Sequence, residues 1–188
     1  FEHIRLGVLS KIVKGDYKII VACVGAACQL TMPPQALIDR SFTISQGEEI
    51  NIEQTAQRLV KAGYSRYDQV DGTSQFSIRG GLLDIFPPGA DEPVRIELWG
   101  DTVDSIAKFD ISTQRRNDMV DSVDIIPATE VLFASKDEQA KKIEALASSL
   151  KGKAVKARER LFADVDRLRQ GLSLHCNDKY LPLAYDSK

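Results

Sequence analysis

The sequence is notable first for what it has little of. It holds three cysteines, two histidines and one tryptophan in 188 residues. No apolar run approaches the roughly 18 residues that a membrane-spanning helix needs, so no membrane partner is expected. Cys23, Cys28 and Cys176 are few and odd in number, and no secretory pattern accompanies them. That usage points to a reducing, cytoplasmic setting with free thiols. Cys23 and Cys28 are not spaced as half of a zinc site, and both are expected as buried thiols. His3 and His175 stand alone, and nothing marks either as a general base. Cys176 beside His175 fits packing or a loop better than a nucleophile and its base. Phosphate loops, H-E-x-x-H, C-x-x-C pairs and G-x-S-x-G are all missing. Arg79-Gly80-Gly81 lacks the lysine and the helix of a phosphate loop, and fits a turn between strands. Asp84, Asp101 and Asp104 are scattered and form no recognisable metal cage. No catalytic residue, cofactor site or metal site is therefore expected. The formal net charge of −2 argues against a chain that grips duplex DNA by itself, because such proteins carry a basic excess or stripe.

What is present is enough for one medium domain or two small ones. Hydrophobic residues make up 43% and charged residues 28%, a soluble, globular composition. The chain opens on Phe1 and runs straight into a helical pattern, which reads as a piece of a longer protein. Ile4, Val8, Leu9, Ile12 and Val13 form a helical stripe, and Gly15 follows as a stop. Tyr17 to Val24 (YKIIVACV) is β-branched and apolar, and reads as a buried strand of a parallel sheet. Pro33-Pro34 breaks the chain. Ser41 to Ser45 alternates as a short strand, and Ile52 to Ala62 is an amphipathic helix with Gly63 as its stop.

From Arg66 the period changes to two. Arg66–Val70, Gln75–Arg79, Leu82–Phe86, Val94–Trp99 and Thr102–Phe109 read as strands of an antiparallel meander, with turn residues between them. After Pro127 two charged amphipathic helices are expected, Lys136–Leu150 and Lys156–Leu172. The fold class is thus α/β: a first piece at 1–45, an inserted antiparallel α+β domain at 46–130, and a helical return at 131–188.

Alternation assigns the faces of the meander. Val94, Ile96 and Leu98 share one face, and Arg95, Glu97 and Trp99 share the other. Phe76 and Ile78 look inward, which puts Ser77 and Arg79 outward. One outer face then carries Arg79, Arg95, Glu97 and Trp99. A tryptophan on a wet face exposes much apolar area unless something covers it. Two readings stand side by side: a Trp packed beneath long arginine stems, or a protein-binding face, since Trp and Arg are enriched at hot spots.

The central run FSIRGGLLDIFPPGADEPVRIELWGDTVDSIAKFDISTQR resembles the second domain of the excinuclease component UvrB and the matching module of the bacterial transcription-repair coupling factor family (Mfd). Upstream, RLGVLSKIVKGDYKIIVACVGAACQLTMPP and GEEINIEQTAQRLVKAGYSRYDQV are similar to the coupling factor's first domain and to the start of its second. Downstream, IIPATEVLF and GLSLHCNDKYLPLAY look like the return to the first domain. The resemblance is weakest from about Ser135 to Leu161. Thr113-Gln114-Arg115, and Pro33-Pro34 after Gln29-Leu30, look more like the coupling factor than UvrB.

The resemblance implies a partial, degenerate helicase-like (RecA-type) domain that carries the insert. It implies docking of UvrA, the damage-sensing excinuclease component, in transcription-coupled nucleotide excision repair. The arginine of the family's R-G motif falls on Arg79, a second arginine on Arg95 and an aromatic on Trp99. Two further polar positions fall on Arg66 and Glu97. A third arginine of UvrB falls on Ser77, where this chain departs. RNA polymerase, double-stranded DNA, the protein's own C-terminal domain, and the motor that uses ATP and magnesium belong, by the same resemblance, to a longer parent. This piece is expected neither to hydrolyse ATP nor to translocate. The alternative implied is a fragment of UvrB that contacts UvrA and damaged DNA.

Overall fold

A computed structural model describes residues 2–151, 154–174 and 176–185. The chain divides into two compact units, one of residues 1–28 and 33–129, the other of residues 29–32 and 130–188.

The first unit is built on a six-stranded sheet in the order β2-β3-β4-β5-β6-β7. Its strands are β2 (Ser65–Arg66), β3 (Gln75–Arg79), β4 (Leu82–Ile85), β5 (Val94–Trp99), β6 (Thr102–Phe109) and β7 (Arg116–Met119). From β3 to β7 each strand pairs antiparallel with the next, and β2 adds in parallel to β3. From β3 to β6 this is the expected antiparallel meander, because period-two alternation fixes the register; the parallel pairing of β2 and the added strand β7 depart from it. A separate two-stranded sheet joins β1 (Phe42–Ser45) to β8 (Ser122–Ile125).

Alternation places Phe76, Leu83, Ile85, Val94 and Ile96 on one face, where each is buried. On β6 the apolar spacing is irregular, with Val103 and Ile106 both buried. The register shifts beside Glu97/Leu98, so that Ile96 pairs with Ile106 and Leu98 with Val103. The bulge absorbs one extra residue and returns both side chains to the same core. Helix α4 (Ile52–Lys61) closes this core with Leu59. Asn51 caps it, its side chain accepting from the Gln54 backbone N–H at 2.9 Å. The buried Tyr64 hydroxyl donates to the Ile126 carbonyl at 2.8 Å, and burial pushes its pKa upward.

The opposite face of the sheet is also partly covered. Val70, Phe86 and Phe109 form a second, smaller cluster with Ile111 against it. Helices α1 (Glu2–Lys14), α2 (Val24–Ala27) and α3 (Pro34–Arg40) complete the unit.

In the second unit α5 (Lys136–Ser149) packs on α6 (Val155–Arg169), with a 3-10 turn at Asp178–Tyr180 and α7 (Leu181–Ala184) behind them. Val131, Ala140, Ile143, Val165, Leu168, Tyr180 and Leu181 form its core. The Tyr180 hydroxyl donates to Asp164 at 2.6 Å. No described helix is long and apolar enough to cross a membrane.

The structure departs from the sequence reading at several points. Tyr17–Val24 is not a buried strand: Ile19 is 82% and Val21 92% exposed, and no described strand pairs with the segment. A parallel-sheet strand needs neighbours to hydrogen-bond it, and apolar composition alone does not supply them. Cys23 and Cys28 lie on or beside that open segment and are exposed rather than buried, as is Cys176. His175 lies outside the described residues. The strand expected at Arg66–Val70 stops at Arg66, and Val70 turns into the smaller cluster. Strand β7 has no signature in the sequence, since RNDM runs three polar residues into Met119, is exposed throughout and has no alternation to read. Helix α3 is hidden by the Pro-Pro pair, which reads as a break although Pro34 opens the helix at its first turn.

Truncating the centre of the main core, by Ile106→Ala, is expected to cost about 2–5 kcal/mol. Asn51→Ala, which removes the α4 cap, is expected to cost about 1 kcal/mol. Urea denaturation of each variant measures both.

Candidate functional site

The site is organised around a carboxylate. Strand β4 reads Leu82-Leu83-Asp84-Ile85, and alternation turns Asp84 away from the main core. There it is 1% exposed. The register aligns it with Ser77 on β3 and with Arg95 on β5. Arg95 grips it with two parallel bonds, Nε to Oδ1 at 2.7 Å and Nη2 to Oδ2 at 2.8 Å. Arg79 adds a third, Nη2 to Oδ2 at 2.8 Å. Two guanidinium groups thus share one buried carboxylate, and charge-assisted bonds of this length are the strong ones.

Arg95 is more enclosed than its partner: its side chain is 12% exposed, against 45% for Arg79. Its guanidinium lies over the Phe109 ring, 4.7 Å from the centroid. Its Nη1 donates to the Gln114 carbonyl and its Nη2 to Gln114 Oε1, both at 3.3 Å. The hydrogen bond to Asp84 holds the Arg95 pKa above its ordinary value. Gln114 stands in the left-handed region at φ 59°. Its amide nitrogen donates to the Ile111 carbonyl at 2.8 Å. The Thr113 N–H and hydroxyl both donate to Asp110 Oδ1, at 2.7 and 2.9 Å, and these bonds lower the Asp110 pKa.

Beyond this cluster the face is open. The β3–β4 and β5–β6 connections are both two-residue turns, at Gly80-Gly81 and Gly100-Asp101, since Arg79 pairs with Leu82 and Trp99 with Thr102. Gly80 and Gly100 both have positive φ, 59° and 63°, which these turns require. The up-and-down order puts both turns at the same end of the sheet. Arg79, Leu82 and Glu97 align across the strands there, and Trp99 ends β5 at 84% exposure. Glu97 accepts from the Ser105 hydroxyl at 3.2 Å and pairs with Arg116 of β7.

The five residues singled out from the sequence are therefore placed unequally. Arg79, Glu97 and Trp99 present surface, while Arg95 lies beneath them as a brace. Arg66 pairs in register with Phe76, so it points toward the α4 side. It lines a cleft of about 530 Å³ with Ile52, Ala56, Val60, Phe76 and Ile78, and a second, shallow cleft at the sheet edge is lined by Arg66, Ile78 and Arg79. Ser77 shares the face of Arg79 but is 1% exposed rather than open to solvent, and its hydroxyl donates to the Asp68 backbone carbonyl at 2.8 Å. Among the described residues no His, Cys, Asp and Glu cluster is placed to hold a metal ion.

Sequence reasoning misses the roles of Asp84, Gln114 and Arg116. For Asp84 a signal exists: it is the lone charge in the apolar run LLDIF, aligned with an arginine on the next strand. Gln114 acts through a left-handed turn, and Arg116 sits on the strand with no readable period.

Residues 42–131 match the family described as UvrB interaction domain. The matched region spans the whole six-stranded sheet and the Asp84 cluster. The chain is also similar to longer proteins. It is 37% identical over 191 residues to a transcription-repair-coupling factor of Bacillus subtilis (strain 168), covering 97% of this chain and 16% of that protein. It is 35% identical over 169 residues to one of Myxococcus xanthus, covering 89% of this chain and 14% of that protein. A Staphylococcus aureus (strain USA300) protein of the same name is 34% identical over 129 residues, covering 69% of this chain and 11% of that protein. The chain thus spans only a small part of these relatives.

Two predictions separate the brace from the surface of this sheet face. Arg95→Met leaves Asp84 without its main partner in a buried place, and is expected to cost about 3–5 kcal/mol. Trp99→Ala is expected to stay within about 0.5 kcal/mol of the parent. Thermal and urea unfolding measure both. For Asp110 the folded pKa is lowered, so its contribution is full above the unfolded value of about 3.9 and is lost as pH falls through the lower folded value. The Thr113 and Gln114 amide resonances should shift in that acid window and not above it.

Proposed function

We propose that this chain is the part of a transcription-repair coupling factor that recruits UvrA in transcription-coupled nucleotide excision repair. The contact is the open sheet face of Arg79, Glu97 and Trp99, braced by Arg95, with Arg66 at its edge. One observation carries the reading: within a UvrB interaction domain, the chain's single tryptophan is 84% exposed at the same end of the sheet as an arginine with free donors. Burying such a residue in a partner's pocket gives the large, localised energies found at hot spots.

In this reading residues 46–130 are the interaction insert. Residues 1–45 and 131–188 are two legs of a degenerate, RecA-type helicase-like domain with no ATPase of its own. The exposed run Tyr17–Val24 then belongs in a sheet that the parent protein completes. ATP and magnesium, RNA polymerase, double-stranded DNA and the C-terminal domain are matters for that parent, in a cytoplasmic setting. The relatives' shared name favours a coupling factor over a fragment of UvrB.

Calorimetric titration of purified UvrA into the chain tests the reading. The parent chain should bind, and Trp99→Ala should weaken binding by about 30-fold or more, the equivalent of about 2 kcal/mol. Arg95→Glu, a natural first choice from sequence, is a poor probe because it would unseat Asp84 as well. Equal binding by the parent and Trp99→Ala would move the contact elsewhere.

A further inference from the structure

The Asp84 cluster divides labour between two arginines that look equivalent in sequence. Arg95 has no freedom: Asp84 holds it on one side, Gln114 on the other, and Phe109 lies beneath. Arg79 reaches the same carboxylate oxygen through one nitrogen only. Its Nε and Nη1 make no hydrogen bond among the described residues, and its side chain is 45% exposed at the open end of the sheet. An arginine tethered at one nitrogen loses little further side-chain entropy when it docks, which is the advantage of a preorganised contact.

We propose that Asp84 and Gln114 are positioning residues for docking: together they fix Arg95 as a strut, the strut fixes Asp84, and Asp84 aims Arg79 at a carboxylate on the partner beside the pocket that receives Trp99. The proposal rests on the docking reading above and adds which cation is offered and what holds it. The partner's surface should pair an apolar pocket with an acidic side chain. Arg95 makes no direct contact. Asp84 is shared between two cations, so Arg79 keeps attraction to spare for an incoming carboxylate. The open face also carries Glu97, but that acid is engaged by Arg116 and Ser105.

Gln114→Gly is the sharp variant. Glycine accepts the φ of 59° at this position, so the backbone turn survives and only the side-chain bracket is lost. UvrA binding is measured by calorimetry for the parent, Gln114→Gly, Arg79→Ala, the double variant and Trp99→Ala, with thermal unfolding of each. Expected are a loss of roughly five-fold or more for Gln114→Gly at near-parent stability, and losses for Gln114→Gly and Arg79→Ala that do not add in the double variant. Non-additivity is what action through Arg79 requires; a general loosening would add. Asp84→Asn should show the same coupling if it folds, and Gln114→Gly decides if it does not. Binding by Gln114→Gly equal to the parent, with Trp99→Ala strongly impaired, overturns the proposal and leaves the docking reading intact. Additive losses overturn it as well. Parent-like binding by Trp99→Ala removes both.

Discussion

One buried carboxylate sets the character of this molecule. Asp84 occupies the middle of a sheet face with almost no contact with water. An isolated ionised carboxylate there would be strongly unfavourable, so its position is tolerable only with cations at hand. The cross-strand register brings Arg95 opposite it, and the β3–β4 turn brings Arg79 within reach. A buried ion pair of this kind contributes little net stability, yet breaking it by removing one member is costly. Its consequence is geometric: it fixes where two charged groups stand. The cluster also marks a boundary. On one side the face is sealed by Val70, Phe86 and Phe109; on the other it opens onto Glu97 and Trp99.

Much of this is legible in the sequence because a two-residue period is a strong signal. Residues Gln75 to Trp99 alternate and turn so regularly that strand existence, order and facing all follow, and the outer grouping of Arg79, Arg95, Glu97 and Trp99 follows with them. What alternation does not report is depth. It treats Ser77, Arg95 and Trp99 alike, although they range from nearly buried to almost fully exposed. The difference arises from segments distant in sequence, the stretch at 67–70 and the turn at 110–114, that lie over one half of the face. Tyr17–Val24 misleads for a related reason. Its composition is that of an interior strand, but a strand is a relation between segments and its partners are absent from the described residues.

The proposed docking asks for no chemistry from this face, only a fixed arrangement of side chains. In the proposed docking, recognition falls to a sheet face, whose strands are held by backbone pairing on both sides, rather than to a flexible loop. The apolar anchor, Trp99, and the charge, Arg79, are rigidly spaced at one end of that sheet. On the proposed reading, charge complementarity fixes orientation while the aromatic supplies most of the energy.

The most direct test of the central claim uses the fact that the chain has one tryptophan. With 5-fluorotryptophan incorporated, Trp99 gives the only fluorine resonance. The account predicts that adding unlabelled UvrA shifts or broadens that resonance in proportion to complex formed. A resonance that stays unchanged while calorimetry registers binding would contradict it.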